Sequence, residues 1–223
     1  MTAIFIEKAI PEEALVLLRQ MLRGGPYVSG RGTAVGGAAR LKNNVQLAPS
    51  SPAAEQAAQV LVAALNDSAA FQAATWIDAM MTPLFCRYEP GMTYGDHIDA
   101  AIMGEPPNLV RCDIAVTVCL SDASSYDGGE LVIDAAGVAG RWKGNAGDCV
   151  IYPAGTLHRV EPVTRGARDV AVLWIQSLVR DPGQRRILFD LTTVLEQLDR
   201  SGTPGPQIEA LRRSYFNLVR MWA

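Results

Sequence analysis

Between residues 83 and 177 the chain alternates short apolar, β-branched and aromatic runs with Gly, Pro, Asp and Ser: PLFCRYEP, YGDHID, RCDIAVTVCL, GELVID, GRWKG, DCVIYP, LHRVEPV and RDVAVLWIQS. Eight short strands separated by turn signals predict an all-β sandwich or jelly roll. On both sides of this region the apolar period becomes helical. Pro11 with Glu12 and Glu13 reads as a first helical turn, because proline is tolerated there and acids complement the helix dipole; Leu15, Leu18 and Leu22 then mark one face. Ser51 and Pro52 form a cap and first residue for a second helix, with Val60, Leu61, Ala64 and Leu65 on its buried side. Asp181 and Pro182 repeat that signal ahead of Ile187, Leu188, Leu191, Val194, Leu195 and Leu198. SGTPGP breaks this helix, and a last one carries Ile208, Leu211, Tyr215, Leu218, Val219 and Trp222 along one stripe. The pattern predicts a mainly β protein with flanking helices: a helical and extended segment over 1–80 packing on a β core over 81–178, then a helical extension over 179–223.

Composition narrows the class. Apolar residues make up 49%, enough for a core, and 20 Lys and Arg against 23 Asp and Glu give a net charge of -3 with no basic block to neutralise phosphates, so nucleic acid is not expected as a partner. Cys86, Cys112, Cys119 and Cys149 lie inside apolar runs without C-x-x-C spacing, which predicts buried reduced thiols and a cytoplasmic setting. Glu7, Lys8, Glu12 and Glu13 interrupt the N-terminal apolar residues before they reach signal-peptide length, and no later run is long enough to span a bilayer. A glycine-rich stretch precedes KNNVQL, in which Lys42, Asn44 and Gln46 share one face if extended; they either line a substrate pocket or form an exposed polar strand edge. The C-terminal stripes read as a helix seam, with a homodimer contact as the alternative.

Only two histidines occur, and both fall in the β region. If YGDHID is a strand, His97 and Asp99 point to the same face and bring an imidazole and a carboxylate to one spot. His158, on a distant predicted strand, can join them, because a jelly roll pairs strands far apart in sequence. Two histidines and one carboxylate on one face of a metal form the ligand set of non-haem Fe(II) oxygenases, and also that of some catalytic zinc sites. Arg168 opens the strand RDVAVLWIQS, a cation at the mouth of an apolar wall. Its guanidinium fork suits the far carboxylate of a dicarboxylate whose other end chelates the metal; a surface cation is the ordinary alternative. The acidic loop YDGGE (Asp127 to Glu130) reads as a turn opening a strand, not as a metal loop.

The segments RYEPGMTYGDHIDAAIMG, SDASSYDGGELVI, GDCVIYPAGTLHRVEPVTRGAR and WIQSLVRD resemble those of the bacterial PKHD-type hydroxylases, Fe(II)- and 2-oxoglutarate-dependent dioxygenases related to prolyl 4-hydroxylases. GRGTAVGGAARLKNNVQL and LRRSYFNLVRMWA extend the resemblance over nearly the whole chain. It implies a double-stranded β-helix, the jelly-roll core of these enzymes. By resemblance, His97, Asp99 and His158 match the iron ligands, Arg168 the residue binding the distal carboxylate of 2-oxoglutarate, and Tyr88 a tyrosine close to that cosubstrate. Where animal prolyl hydroxylases carry a further tyrosine, this chain has Cys119 or a neighbour. The implied reaction consumes O2 and 2-oxoglutarate, releases succinate and CO2, and hydroxylates an unactivated C–H bond, with ascorbate in support to keep iron ferrous. An amino acid, a peptide and a small metabolite all remain open as substrate, since the fold does not say which C–H bond meets the oxidant. Two rivals use the same residues: a non-catalytic module sensing metal or 2-oxoglutarate, and a zinc hydrolase that would leave Arg168 without a dicarboxylate.

Overall fold

The computed structural model describes residues 3–34, 36–135, 137–202 and 205–223. Two antiparallel sheets face each other. The larger runs, edge to edge, through Ile4–Ile6, Cys149–Pro153, Ile114–Cys119, Arg168–Ser177, Leu84–Tyr88, Val45–Leu47 and Tyr27–Ser29, with Ile77–Met80 pairing the far end of Arg168–Ser177. The smaller runs through Val138–Trp142, Leu131–Ala135, Leu157–Val160, Thr93–His97 and Lys42–Asn43. Of the sandwich and the jelly roll that the spacing of turns and apolar runs allows, this is the jelly roll, the double-stranded β-helix that the resemblance implies.

The continuous apolar run in Ile114–Cys119 follows from burial of the larger sheet on both faces. Ile114, Val116 and Val118 point outward, with Ala171, Leu173 and Ile175 of the neighbouring strand, into a core capped by helices. Ala115 and Val170 point inward to a second core with Leu131, Ile133, Val150, Tyr152 and Val163, between the sheets. On the outer face lie the helices Glu12–Gly24, Pro52–Asp67 and Ala69–Thr75, contributing Leu15, Leu18, Leu22, Leu61, Leu65 and Phe71. Ser51 Oγ accepts from the Ala54 N–H at 3.2 Å, as expected of the cap, whereas Pro11 stands just before the first helix instead of inside its first turn. Residues 1–80 do more than pack on the core, since they supply strands to both sheets.

The helices Pro182–Arg200 and Pro206–Trp222 form an antiparallel pair resting on Ala69–Thr75. Asp181 caps the first, its Oδ1 accepting from the Gln184 N–H at 2.8 Å. Of its predicted stripe only Leu188 and Leu195 are buried, and Ile187 and Val194 face outward, because one side alone meets the rest of the protein. The stripe of the last helix is half-buried, held by Tyr215, whose hydroxyl lies 3.1 Å from Thr192 Oγ1 and whose ring is 6.4 Å from that of Trp76. Of the break expected between these helices, residues 203 and 204 lie outside the described residues. No helix among the described residues is long and apolar enough to cross a membrane.

Candidate active site

The site sits between the sheets, in a cavity of about 850 Å³. His97 and His158 lie directly opposite each other on paired strands of the smaller sheet, which brings their rings to 4.2 Å between centroids. The strand stops at His97, two residues short of the expectation, so Asp99 reaches the site from a loop and not by strand alternation. That loop is pinned by the Asp99 N–H donating to the Ala154 carbonyl at 3.2 Å. Asp99 Oδ2 then stands 3.9 Å from His158 Nε2. One ligand atom from each of His97, Asp99 and His158 lies within 4.8 Å of the others, and among the described residues this is the one group of three or more such side chains gathered closely enough to share an ion.

The protonation pattern suits a metal. Each histidine Nδ1 lies 2.8 Å from a carbonyl two residues back, Gly95 for His97 and Thr156 for His158. A carbonyl only accepts, so each Nδ1 carries a hydrogen and Nε2 is the ring atom turned to the site as a ligand. Burial, reinforced by His158, pushes the His97 pKa down to about 4, so its imidazole is neutral near neutral pH. Burial raises the Asp99 pKa, opposed by His158; Trp174 Nε1, which has no hydrogen-bond partner of good geometry, and the Lys42 ammonium also pull it down. Tyr94 stacks on His97 with centroids 3.6 Å apart, and Tyr152 packs edge-on against His158. Two imidazoles that turn Nε2 toward one acid fit a ferrous ion.

The larger sheet supplies the other wall. Arg168 and Tyr88 are register partners there, with the guanidinium 5.2 Å from the centre of the tyrosine ring, and both line the cavity. Arg168 is 2 % exposed and its Nε has no hydrogen-bond partner. The acids lining the cavity among the described residues are Asp99 and, at the exposed rim, Glu105. A buried cation without an acid of its own fits an incoming carboxylate.

Sequence reasoning did not single out Tyr126. It is buried beside Arg168, its pKa pushed up to about 12 by burial with Arg168 pulling against it, and stands near the guanidinium together with the buried Cys119. The YDGGE segment, expected to be a turn opening a strand, instead holds the two-residue strand Asp127–Gly128 paired with Val163–Arg165. With φ at +67°, the next residue, Gly129, approaches so closely that a Cβ would lie 3.0 Å from Arg168 Cδ and 3.2 Å from Tyr126 Cε2. This segment thus shapes the floor under Arg168. Of the two readings of KNNVQL, the polar edge fails, because Lys42, Asn44 and Gln46 are all buried, and Lys42 lines the cavity.

A fold of this kind with this constellation defines a 2-oxoglutarate- and Fe(II)-dependent oxygenase. Residues 83–176 match the 2OG-Fe(II) oxygenase superfamily, and residues 182–223 match the PKHD-type hydroxylase C-terminal domain. A PKHD-type hydroxylase of Burkholderia ambifaria (strain MC40-6) is 41% identical over 223 residues, covering 99% of this chain and 98% of the relative; one from Caulobacter sp. (strain K31) is 39% identical over 221 residues, covering 98% and 97%. Among solved structures, the fold is similar to a Trichoplax adhaerens prolyl hydroxylase in complex with a hypoxia-inducible factor peptide fragment (TM-score 0.58, 16% identity, 83% of this chain and 86% of that one). It is also similar to a 2OG-Fe(II) family oxidoreductase of Burkholderia pseudomallei (TM-score 0.56, 18% identity, 77% and 82%). The chain belongs to the PKHD-type hydroxylases. It is accordingly an Fe(II)- and 2-oxoglutarate-dependent hydroxylase with a His-Asp-His facial triad.

Proposed function

We propose that His97, Asp99 and His158 are the three protein ligands of iron, and that Arg168 binds the distal carboxylate of 2-oxoglutarate with Tyr88 packed beneath it. The reaction we assign is hydroxylation of an unactivated C–H bond in an amino-acid, peptidyl or small-metabolite substrate. The convergence of the three ligand atoms within 4.8 Å of one another carries this reading. When bound, iron and 2-oxoglutarate supply the oxidising chemistry, with O2 consumed, succinate and CO2 released, and ascorbate keeping iron ferrous.

The protein's own share is orientation and exclusion of water. The two Nδ1–H bonds to backbone carbonyls fix the imidazole planes and tautomers. Tyr94 and Tyr152 cover the two rings and keep them dry. Arg168 stays charged when desolvated and, on the wall opposite the histidines, sets where the cosubstrate's far end rests.

We assign the iron and 2-oxoglutarate site to residues 81–178, with 1–80 and 179–223 as flanking segments, and a cytoplasmic location, which the four free buried cysteines support. A homodimer contact through the C-terminal helices, where Ile187, Val194, Phe216 and Met221 are exposed, completes the proposal and is read by sedimentation equilibrium.

Anaerobic addition of Fe(II) and 2-oxoglutarate to the metal-free protein tests the site. A visible charge-transfer band is expected, together with succinate formation once O2 and substrate are admitted. His97→Ala and His158→Ala should each abolish band and turnover. A folded, metal-binding protein without the band would overturn the proposal, and a band without succinate under any substrate would favour a sensing module.

A further inference from the structure

Lys42 is a second buried cation in the same cavity. It is 4 % exposed and lies on the short strand paired with Tyr94, its Nζ 5.4 Å from the centre of that ring. Nζ donates to Thr33 Oγ1 at 3.0 Å. Thr33 holds that position by donating in turn to Gln46 Oε1 at 2.8 Å, and Gln46 Nε2 donates to Cys86 Sγ at 3.2 Å. An ammonium has three hydrogens, so this arrangement fixes Nζ and leaves donors to spare. Burial lowers the Lys42 pKa, the sign of a charge held at a cost. A buried cation with one neutral hydrogen-bond partner is an unfinished site that needs an anion.

2-Oxoglutarate does not supply that anion, given the assignments under Proposed function, on which this inference rests. One of its carboxylates goes to the metal and the other to Arg168. Charge leads to the same conclusion. Ferrous iron, Arg168 and Lys42 together bring four positive charges; Asp99 and 2-oxoglutarate bring three negative ones. The remaining acid at the cavity, Glu105, lies exposed at the rim, where water screens it. The loaded site therefore retains one buried positive charge, at Lys42. A cavity of about 850 Å³ lies within the range that encloses drug-sized ligands, so room remains beyond a five-carbon cosubstrate. Met81, Ile98, Ile102 and Met103 give that space an apolar lining.

We infer that Lys42, positioned by Thr33, binds a carboxylate of the primary substrate, and that this substrate is an organic acid with an apolar body.

The test uses protein loaded anaerobically with Fe(II) and 2-oxoglutarate. N-acetyl-leucine, N-acetyl-phenylalanine, N-acetyl-proline and short peptides with a free C-terminus are titrated against their carboxamides. Binding is read as a perturbation of the visible band and a rise in melting temperature. At least one acid should bind about 10- to 100-fold more tightly than its amide, the range expected for a hydrogen bond to a charged group. Lys42→Met should erase that preference, Lys42→Arg should restore part of it, and neither should change the affinity for 2-oxoglutarate. If Lys42→Met does not fold, Thr33→Val, which removes the anchor of Nζ, should cut the preference severalfold. No acid outbinding its amide would overturn the inference, as would a preference that survives Lys42→Met or is undiminished in Thr33→Val. A Lys42→Met protein that loses 2-oxoglutarate affinity instead would assign Lys42 to the cosubstrate. Loss of the band in the unaltered protein would be a failure of the iron assignment, which separates the two.

Discussion

Arg168, proposed to hold the distal carboxylate of 2-oxoglutarate, is the residue whose removal should separate binding from chemistry most cleanly. Arg168→Ala should leave the metal ligands in place and raise the 2-oxoglutarate requirement roughly 30-fold or more, since truncating one partner of a buried charge pair costs several kcal/mol. Steady-state kinetics against cosubstrate concentration checks this, and an unchanged KM would remove Arg168 from the role. At this scale the sequence was informative where residue type is rare and chemically committed. Two histidines in 223 residues, one of them two positions from an aspartate, were legible as a metal site. Lys42 was not equally so, because a lysine in a short polar stretch looks the same whether it lines a cavity or meets solvent. Tyr126 left no signal at all: its place beside Arg168 goes with the close backbone approach of positive-φ Gly129, which residue identities suggest but do not aim.

Elements join the site to the rest of the fold through Asp113. Its carboxylate accepts two hydrogen bonds from Arg111, both at 2.8 Å, and one from the Ser177 N–H at 2.9 Å, tying the start of one central strand to the end of the next. Burial alone would raise its pKa, but the Arg111 and Ser177 hydrogen bonds outweigh it and the net shift is downward from 3.8. A carboxylate whose folded pKa is depressed contributes stability that is complete above its unfolded pKa and lost as pH falls through the folded one. Urea unfolding of the metal-free protein should therefore show this contribution intact at pH 6 and waning below about pH 4, whereas Asp113→Asn should be less stable at pH 6 and lose less on acidification. Leu61→Ala, at the fully buried seam between the first two long helices, should cost about 2–5 kcal/mol in the same assay while leaving the iron and 2-oxoglutarate band unchanged. Helix starts at Ser51 and Asp181 were readable because cap chemistry is local. The two-residue strand Lys42–Asn43 and the early stop of the strand at His97 were not, since such short pairings are set by partners elsewhere in the chain.

For the whole molecule, the eight apolar runs and their turns were enough to read a β sandwich or jelly roll, because sheets buried on one or both faces impose a period on the sequence; the choice of jelly roll rested on the family resemblance. The register that sets His158 opposite His97 was not readable, as it depends on strands paired across distant parts of the chain. That pairing places both histidines on the smaller sheet, while Arg168 and Tyr88 belong to the larger one. Under the assignments proposed for these residues, the gap between the sheets would act as a ruler for the keto acid that bridges it. Oxaloacetate, one methylene shorter, should fall short of the guanidinium, and 2-oxoadipate, one longer, should have to buckle. Neither should replace 2-oxoglutarate in forming the visible complex at comparable concentration.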